Sequence, residues 1–589
     1  MTIRATGSEL AVPLMSAAAL LAVVGPALLA YNQPPSATFL NQAAAVIGWG
    51  AFLAALVFAL GRSGAARSGI DPGAYSLLAA LGLVAAAALV TLAVGRSTPA
   101  LVLSSVGLIA AAMLTAAVGA MVARADQAEL AFRALAIALV AAGVLSGLVS
   151  LVQVFAPSLA DGNLIAATAV EGRASGNLRQ PNHLCSLVLW SLIALTWLAE
   201  TRVLRRAMAG GLAVLFVLVL VLSASRTGWI GVGVLALWGL TDRRLSRESR
   251  IALALSPVAY ALLWGGLTAW AAATDHVFYG QSRVSGMQDI SSSRYGIWAN
   301  TLELIARHPW FGVGWGEFNF AWSLNVFPKR PSAFFDHTHN VLLNFAVELG
   351  LPMATLVCGL FVHALWRSLR AAHQAQGAHA LLLRAALMIV VMMVIHSQLE
   401  YPLWYAYFLL PTAFAFGLTL ASPPSAAPVA PPVAPPRPLV QRSLLAACVL
   451  MAIGGIASLI DYQRVVVVFA PPDDAPPLAE RIVAGEKSWF FAHHAYYAAA
   501  TTLPPAEALP ALANASHYLL DTRLMMAWAE GLAATGQVDK ARYIAARLRE
   551  FRNADSHPFF EPCDKPVPGV DLPFQCTPPS RVYDERDFR

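Results

Sequence analysis

Runs of about twenty apolar residues recur along most of this 589-residue chain. Each is long enough to cross a hydrocarbon core of about 30 Å as a helix. They lie near 11–30, 40–60, 74–94, 100–122, 130–155, 182–199, 207–225, 227–241, 251–272, 338–363, 381–398, 402–421 and 443–460. The pattern predicts an all-α polytopic membrane protein with roughly thirteen transmembrane helices. Composition agrees: 58% of residues are hydrophobic, 12% are charged and the mean hydropathy is +0.61, whereas soluble domains carry roughly 25% charged residues.

Arginine distribution sets the expected orientation, because basic loops are retained in the cytoplasm. From Arg4 onward, alternate short loops hold Arg62 and Arg67, Arg124, Arg202, Arg205 and Arg206, Arg243, Arg244, Arg247 and Arg250, Arg367 and Arg370, and Arg437 and Arg442. The N-terminus is therefore expected inside, and the first apolar run is read as an uncleaved helix. The opposite side receives the 156–181 and 273–337 loops, the Ser225-Arg226-Thr227 turn, His396 to Tyr401, and the tail after residue 461. The net charge of +6 and pI near 9.1 come mostly from these topology signals and do not point to nucleic acid.

The expected organisation is a transmembrane core over 1–421 with a large outward loop at 273–337, a Pro/Ala-rich cytoplasmic linker over 422–442, a last span at 443–460, and a small helical domain over 461–589. The tract SPPSAAPVAPPVAPPR cannot be helical and reads as extended polyproline II. In the tail, MMAWAEGLAATGQVDKARYIAARLREF reads as two antiparallel helices turning at Thr535-Gly536, similar to one tetratricopeptide hairpin. A solenoid needs at least three repeats, so a small helical domain is preferred to an array. Cys563 and Cys576 share this outward tail, where an oxidising compartment makes a disulfide plausible.

Four constellations carry candidate chemistry. In the first, Arg173, Arg179, Gln180, Asn182 and His183 converge where an outward loop enters the sixth run; guanidinium groups suit phosphate oxygens, while Pro181 and Asn182 also serve simply to start a helix. The second is Ser223-Ala-Ser225-Arg226-Thr227, whose arginine reads either as a phosphate ligand or as a snorkelling side chain. The third joins Arg294 and Trp298 of the large loop to Asp336-His337-Thr338-His339-Asn340. Asn340, Asn344 and Glu348 follow at intervals of four and share one helical face. Glu348 reads either as a hydrogen-bonded structural group beside Gly350-Leu-Pro352 or as a group tuning His339. The fourth is HSQLEYPLWYAYF, in which His396 and Glu400 are spaced to pair on a helix. Its Tyr401 and Tyr405 fit either an interfacial belt or a stacking surface for sugar or peptide.

His337-x-His339 lacks a third ligand at recognisable spacing, so no metal is expected and no cofactor is implied. A histidine near its ordinary pKa of about 6.5 can take a proton from a hydroxyl, and His339, nearest the polar stripe, is the preferred base. His183, His337, Glu348 and Glu400 stay open as alternatives.

Arg226 after a span, Arg294-x-x-x-Trp298, His339-Asn340 with ELGLP downstream, and HSQLEYPLWYAYF together resemble the O-antigen ligase superfamily over most of the chain. The last segment and the helical tail more specifically resemble its PglL-type bacterial O-oligosaccharyltransferases. That resemblance implies an inner-membrane enzyme with its site and tail periplasmic. It would move a preassembled glycan from undecaprenyl pyrophosphate to serine or threonine of periplasmic or pilin-like proteins, with inversion and without a required metal. It implies pyrophosphate recognition by Arg226 and Arg294, an essential histidine at His339, and supporting roles for Gln180 and for Tyr405 or Tyr401. Competing expectations are a lipopolysaccharide O-antigen ligase using lipid A-core as acceptor, an O-antigen polymerase, and a lipid-linked glycan transporter or flippase. Transporters tend to show repeated halves with broken helices, whereas the polar residues here concentrate in one asymmetric loop and a turn.

Overall fold

The computed structural model describes the chain except residues 1–4, 64–70, 124–126, 275, 282–289, 422–437, 567 and 570, and the side chains of 5–11, 61–63, 290–293 and 438. The expected Pro/Ala tract and the side chains of Arg4, Arg62, Arg67, Arg124, Arg283 and Arg437 lie outside the described residues. The rest is about three-quarters helical, with no strand among the described residues.

The apolar runs fold as helices, as a hydrocarbon solvent requires. Among the described residues, nine are long and apolar enough to cross a membrane, and a tenth counts if Arg247–Ala254 and Ser256–Thr274, bent by 43°, form one span. Val12–Leu28, Ala406–Leu420 and the 16-residue Arg226–Thr241 are apolar but shorter. Two expected spans change shape. The 402–421 run opens with a 3-10 turn, Pro402–Trp404, so its helix starts only at Ala406. The 338–363 run breaks into Val341–Leu349 and the span Leu351–Gln374. At the break Gly350 has φ +77, and a Cβ there would lie 2.4 Å from the Trp310 carbonyl oxygen; Leu351 N–H donates to the Pro309 oxygen at 2.7 Å. A passing loop thus takes the hydrogen bond that would have continued the helix.

The chain forms two compact units. The first comprises Met1–Ala79, Ala110–Gln288 and Leu360–Ala457. Its central helix is Pro181–Glu200, packed against Ala128–Phe155, Arg206–Ser223 and Gly377–His396. Pro99–Ala123 and Ala406–Leu420 approach closely because a Cβ on Gly417 would lie 2.1 Å from the Ala116 oxygen, the small-residue contact that lets membrane helices meet.

The second unit comprises Ala80–Ile109, Asp289–Gly359 and Ser458–Arg589. The C-terminal helices share a core with the large loop. Ile297, Leu304, Phe318, Trp322 and Phe327 are buried with Leu524, Trp528, Ile544, Leu548 and Phe551. Arg330 pins this joint: its buried guanidinium faces the Trp322, Phe327 and Phe551 rings at 4.9, 5.0 and 4.6 Å and pairs with Glu550 at 3.1 Å. Ala492–Thr502, Pro505–Ala515, Thr522–Ala534 and Val538–Phe551 pack in succession, the last two as the expected hairpin turning at Gly536. Cys563 and Cys576 are bonded.

Candidate functional site

Three of the singled-out segments share one local device. Arg179, Ala224 and His339 adopt left-handed φ values of 57°, 47° and 54°, and each directly precedes a helix N-cap, Gln180, Ser225 or Asn340, in extended conformation. A non-glycine residue held there costs roughly 1–2 kcal/mol, and such strain concentrates at functional positions. The result is an abrupt corner that ends an irregular loop and starts a helix.

In the first unit, three of the four constellations meet at Asn182. Its Nδ2 donates to Glu400 Oε1 at 3.0 Å, and its Oδ1 accepts the Ser225 hydroxyl proton. The 173–183 loop, the 223–227 turn and the 396–408 segment are thereby tied through one amide. His183 Nδ1 lies 3.0 Å from the Tyr407 hydroxyl, with the Tyr405 ring edge-on at 4.5 Å and Tyr401 stacked on Tyr405 at 6.1 Å. His396 meets Ser186 at 2.7 Å, because its helix ends at His396 and leaves Glu400 on the following turn. Arg173 donates to the Ser223 oxygen at 2.9 Å and faces the Tyr279 ring at 5.0 Å. Burial lowers the pKa of Arg173, and Tyr279 and Glu400 act in the opposite direction. Gln180 accepts from His183 N–H at 2.8 Å as the helix cap, and Arg179 donates to the Ala30 and Ala37 carbonyls and to Asn32. Arg226 stands exposed as the first helical residue after Ser225.

In the second unit, Trp298 Nε1 donates to the Thr338 oxygen at 2.9 Å. Arg294 lies one turn earlier on Ile290–Arg307 and is half-buried. The polar stripe holds the corner in place: Asn340 Oδ1 accepts from Leu342 and Leu343 N–H, and Asn344 Oδ1 accepts from Thr338 N–H at 3.2 Å. The Phe335 ring meets His339 edge-on at 5.3 Å. Burial raises the Glu348 pKa to about 7, although the Gly316 N–H, His337 and Asn344 pull it down. Burial also works against a charged His337, but Asp336 at 3.0 Å and Glu348 outweigh it and raise the pKa. Asp336 is held at about 2: its own desolvation is outweighed by His337 and His339.

Asn319, Glu317 and His517 lie outside the four constellations. Asn319 accepts from Leu520 N–H at 2.7 Å and donates to the Phe335 oxygen at 2.8 Å, linking the tail to the segment that carries His339. Nothing in local spacing marks it, since its partners are distant in sequence. Among the described residues, no group of three or more His, Cys, Asp or Glu side chains is arranged around a metal position.

Helical spans, a polar hub at helix starts in the membrane unit, and a histidine-bearing loop packed on a helical domain define a polytopic membrane protein with a built polar site. Residues 211–358 match the family model described as O-Antigen ligase, 174–199 that of Protein glycosylation ligase, and 384–558 that of Virulence factor membrane-bound polymerase, C-terminal. Over these segments the chain is similar to O-antigen ligases and to protein glycosylation ligases, consistent with the PglL-type branch. Two relatives from Acinetobacter baylyi are similar: a general O-oligosaccharyltransferase, 30% identical over 266 residues, and a ComP-specific O-oligosaccharyltransferase, 26% identical over 258. Each match covers 43% of this chain and 44% of the relative, less than half the length of either.

Proposed function

We propose that this protein is an O-oligosaccharyltransferase of the bacterial inner membrane. It would move a preassembled glycan from undecaprenyl pyrophosphate to serine or threonine of a periplasmic, pilin-like protein, with its site and C-terminal helices periplasmic. The observation that carries this reading is a coincidence in place: the protein glycosylation ligase match, 174–199, contains Asn182, the residue that joins Glu400 and Ser225. Both similar relatives are named for the same activity.

In this reading the acceptor hydroxyl oxygen attacks the anomeric carbon as the bond from that carbon to phosphate oxygen breaks, so configuration inverts. His339 takes the hydroxyl proton. Lipid pyrophosphate leaves with its added negative charge neutralised by Arg226 and Arg294, and Arg173 supplies further positive charge. Pyrophosphate is a good leaving group, so orientation, charge neutralisation and one base suffice without a metal. Gln180 and Arg179 enter as braces of the loop, given the backbone groups they bond.

The test is transfer by purified protein given undecaprenyl-pyrophosphate glycan and a pilin-like acceptor, with chelator present. Transfer that is lost in His339→Ala and in Arg294→Ala supports the reading. A folded, donor-binding wild type that glycosylates lipid A-core and not protein moves the assignment to an O-antigen ligase. Retained anomeric configuration defeats the direct-displacement step.

A further inference from the structure

A cavity of about 550 Å³ opens in the first unit between the end of Ala128–Phe155, the loop that follows it, and the end of Ser256–Thr274. Its volume falls within the range of about 300–1,000 Å³ common for small-ligand sites. No residue lining it belongs to the constellations described above.

Its walls differ in chemistry. Phe155 and His276 present rings, and the Trp270 ring holds both, at 5.1 Å from Phe155 and 4.9 Å from His276. Thr168 and Glu171 present a hydroxyl and a carboxylate. A pyranose has the complementary surface, an apolar C–H face that stacks on rings and a rim of hydroxyls that hydrogen-bonds to oxygen acceptors.

The cavity is preformed. Gly172 has φ +70, and a Cβ there would lie 2.3 Å from the Val277 oxygen, while Tyr279 N–H donates to the Gly172 oxygen at 3.2 Å. Only glycine permits this crossing, which locks the two outward loops together. Gln153 stiffens the floor by accepting from Ser175 and Gly176 N–H and donating to the Ala166 and Gly176 oxygens.

The charged turn is tied to one wall of the cavity: Arg173 follows Gly172, which lines the cavity, and donates to the Ser223 oxygen, three residues before Arg226. One ligand chemistry satisfies both parts: a polyol body joined to an anionic phosphate end. Resting on the functional reading above, we propose that this cavity receives the first sugars of the glycan donor, the ones next to the pyrophosphate.

Binding in lipid nanodiscs tests this without requiring transfer, using undecaprenyl pyrophosphate either bare or carrying the host's glycan. The wild type should bind the glycan-bearing lipid at least about tenfold more tightly than the bare one. Thr168→Trp, which fills the cavity, should remove that preference while leaving bare-lipid affinity unchanged. Should Thr168→Trp fail to fold, the milder pair Glu171→Gln with His276→Ala should reduce the preference in the same assay. Equal affinity of the wild type for both lipids, or a preference that survives the folded variant, overturns the proposal. A wild type that prefers the glycan-bearing lipid yet glycosylates no protein defeats the acceptor assignment and leaves the cavity assignment standing.

Discussion

Glu317 and His517 stand 2.8 Å apart although 200 residues separate them in the chain. Glu317 belongs to the large loop and has a fully buried side chain, and His517 sits in the turn between Pro505–Ala515 and Thr522–Ala534 of the C-terminal tail. The contact joins two segments that hydropathy alone assigns to different domains. Glu317→Ala leaves the His517 imidazole without this acceptor, at an expected cost of about 2 kcal/mol. Hydrogen exchange should quicken over 318–325 and across the tail helices together. Because the two residues act as one pair, Glu317→Ala combined with His517→Ala should cost less than the sum of the single changes. Strict additivity in that cycle would contradict the pairing.

The pH dependence of the second unit should follow Glu348, which is 3% exposed on a helix that precedes the membrane span. Its folded pKa of about 7 lies above its ordinary 4.5, so the folded state binds more protons between those values. The stability linked to Glu348 is therefore full below pH 4.5 and is lost as pH rises through 7. The total is about 3 kcal/mol. His337, also raised, acts with the same sign. Asp336 is lowered to about 2, so its contribution is lost only as pH falls through the strongly acidic range and is flat above pH 5. Denaturation of this unit at pH 5, 6.5 and 8 should show declining stability, and Glu348→Gln should flatten the decline. A wild type more stable at pH 8 than at pH 5 would reverse the assigned sign.

Part of this architecture was legible because hydrocarbon imposes its own code. The apolar runs appear as helices, and of the Asn340, Asn344 and Glu348 spacing, Asn340 and Asn344 hold the His339 corner. The break at Gly350 was harder to read. Hydropathy stays high across it, and what stops the helix is Pro309, whose oxygen takes the Leu351 N–H. The union of loop and tail was invisible for a similar reason: Trp322 and Phe327 on one side, and Phe551 and Trp528 on the other, each look locally like the face of an amphipathic helix. Only the fold shows that they cover one another. The meeting of three constellations at Asn182 likewise depends on packing of the central helix rather than on any spacing near it.

His339 should separate chemistry from packing. At φ 54° glycine relieves strain in the folded state but adds freedom to the unfolded chain, so His339→Gly should change stability by less than about 1 kcal/mol. Transfer should nonetheless fall to background. Asn340→Ala removes the cap that accepts from Leu342 and Leu343 N–H, at a cost of about 1 kcal/mol, and should lower transfer without abolishing it. Measuring unfolding and transfer on the same preparations distinguishes the two residues. A His339→Gly protein that transfers normally would remove His339 from the mechanism.

The Cys563–Cys576 bond closes a short loop in the C-terminal tail across a sequence separation of 13. A loop of that size stabilises by about 3 kcal/mol in the chain-entropy account, so Cys563→Ser should lower the unfolding temperature of the second unit. The bond also bears on orientation, since such pairs persist in oxidising compartments and are rare in the cytosol. Protein purified with its thiols blocked at lysis should keep Cys563 and Cys576 unlabelled until reduced. Cys185 and Cys448 are buried and should label only on denaturation, which distinguishes burial from bonding. Free Cys563 and Cys576 thiols in freshly lysed cells would argue against a tail on the outer side, and with it against a protein acceptor reaching the site from there.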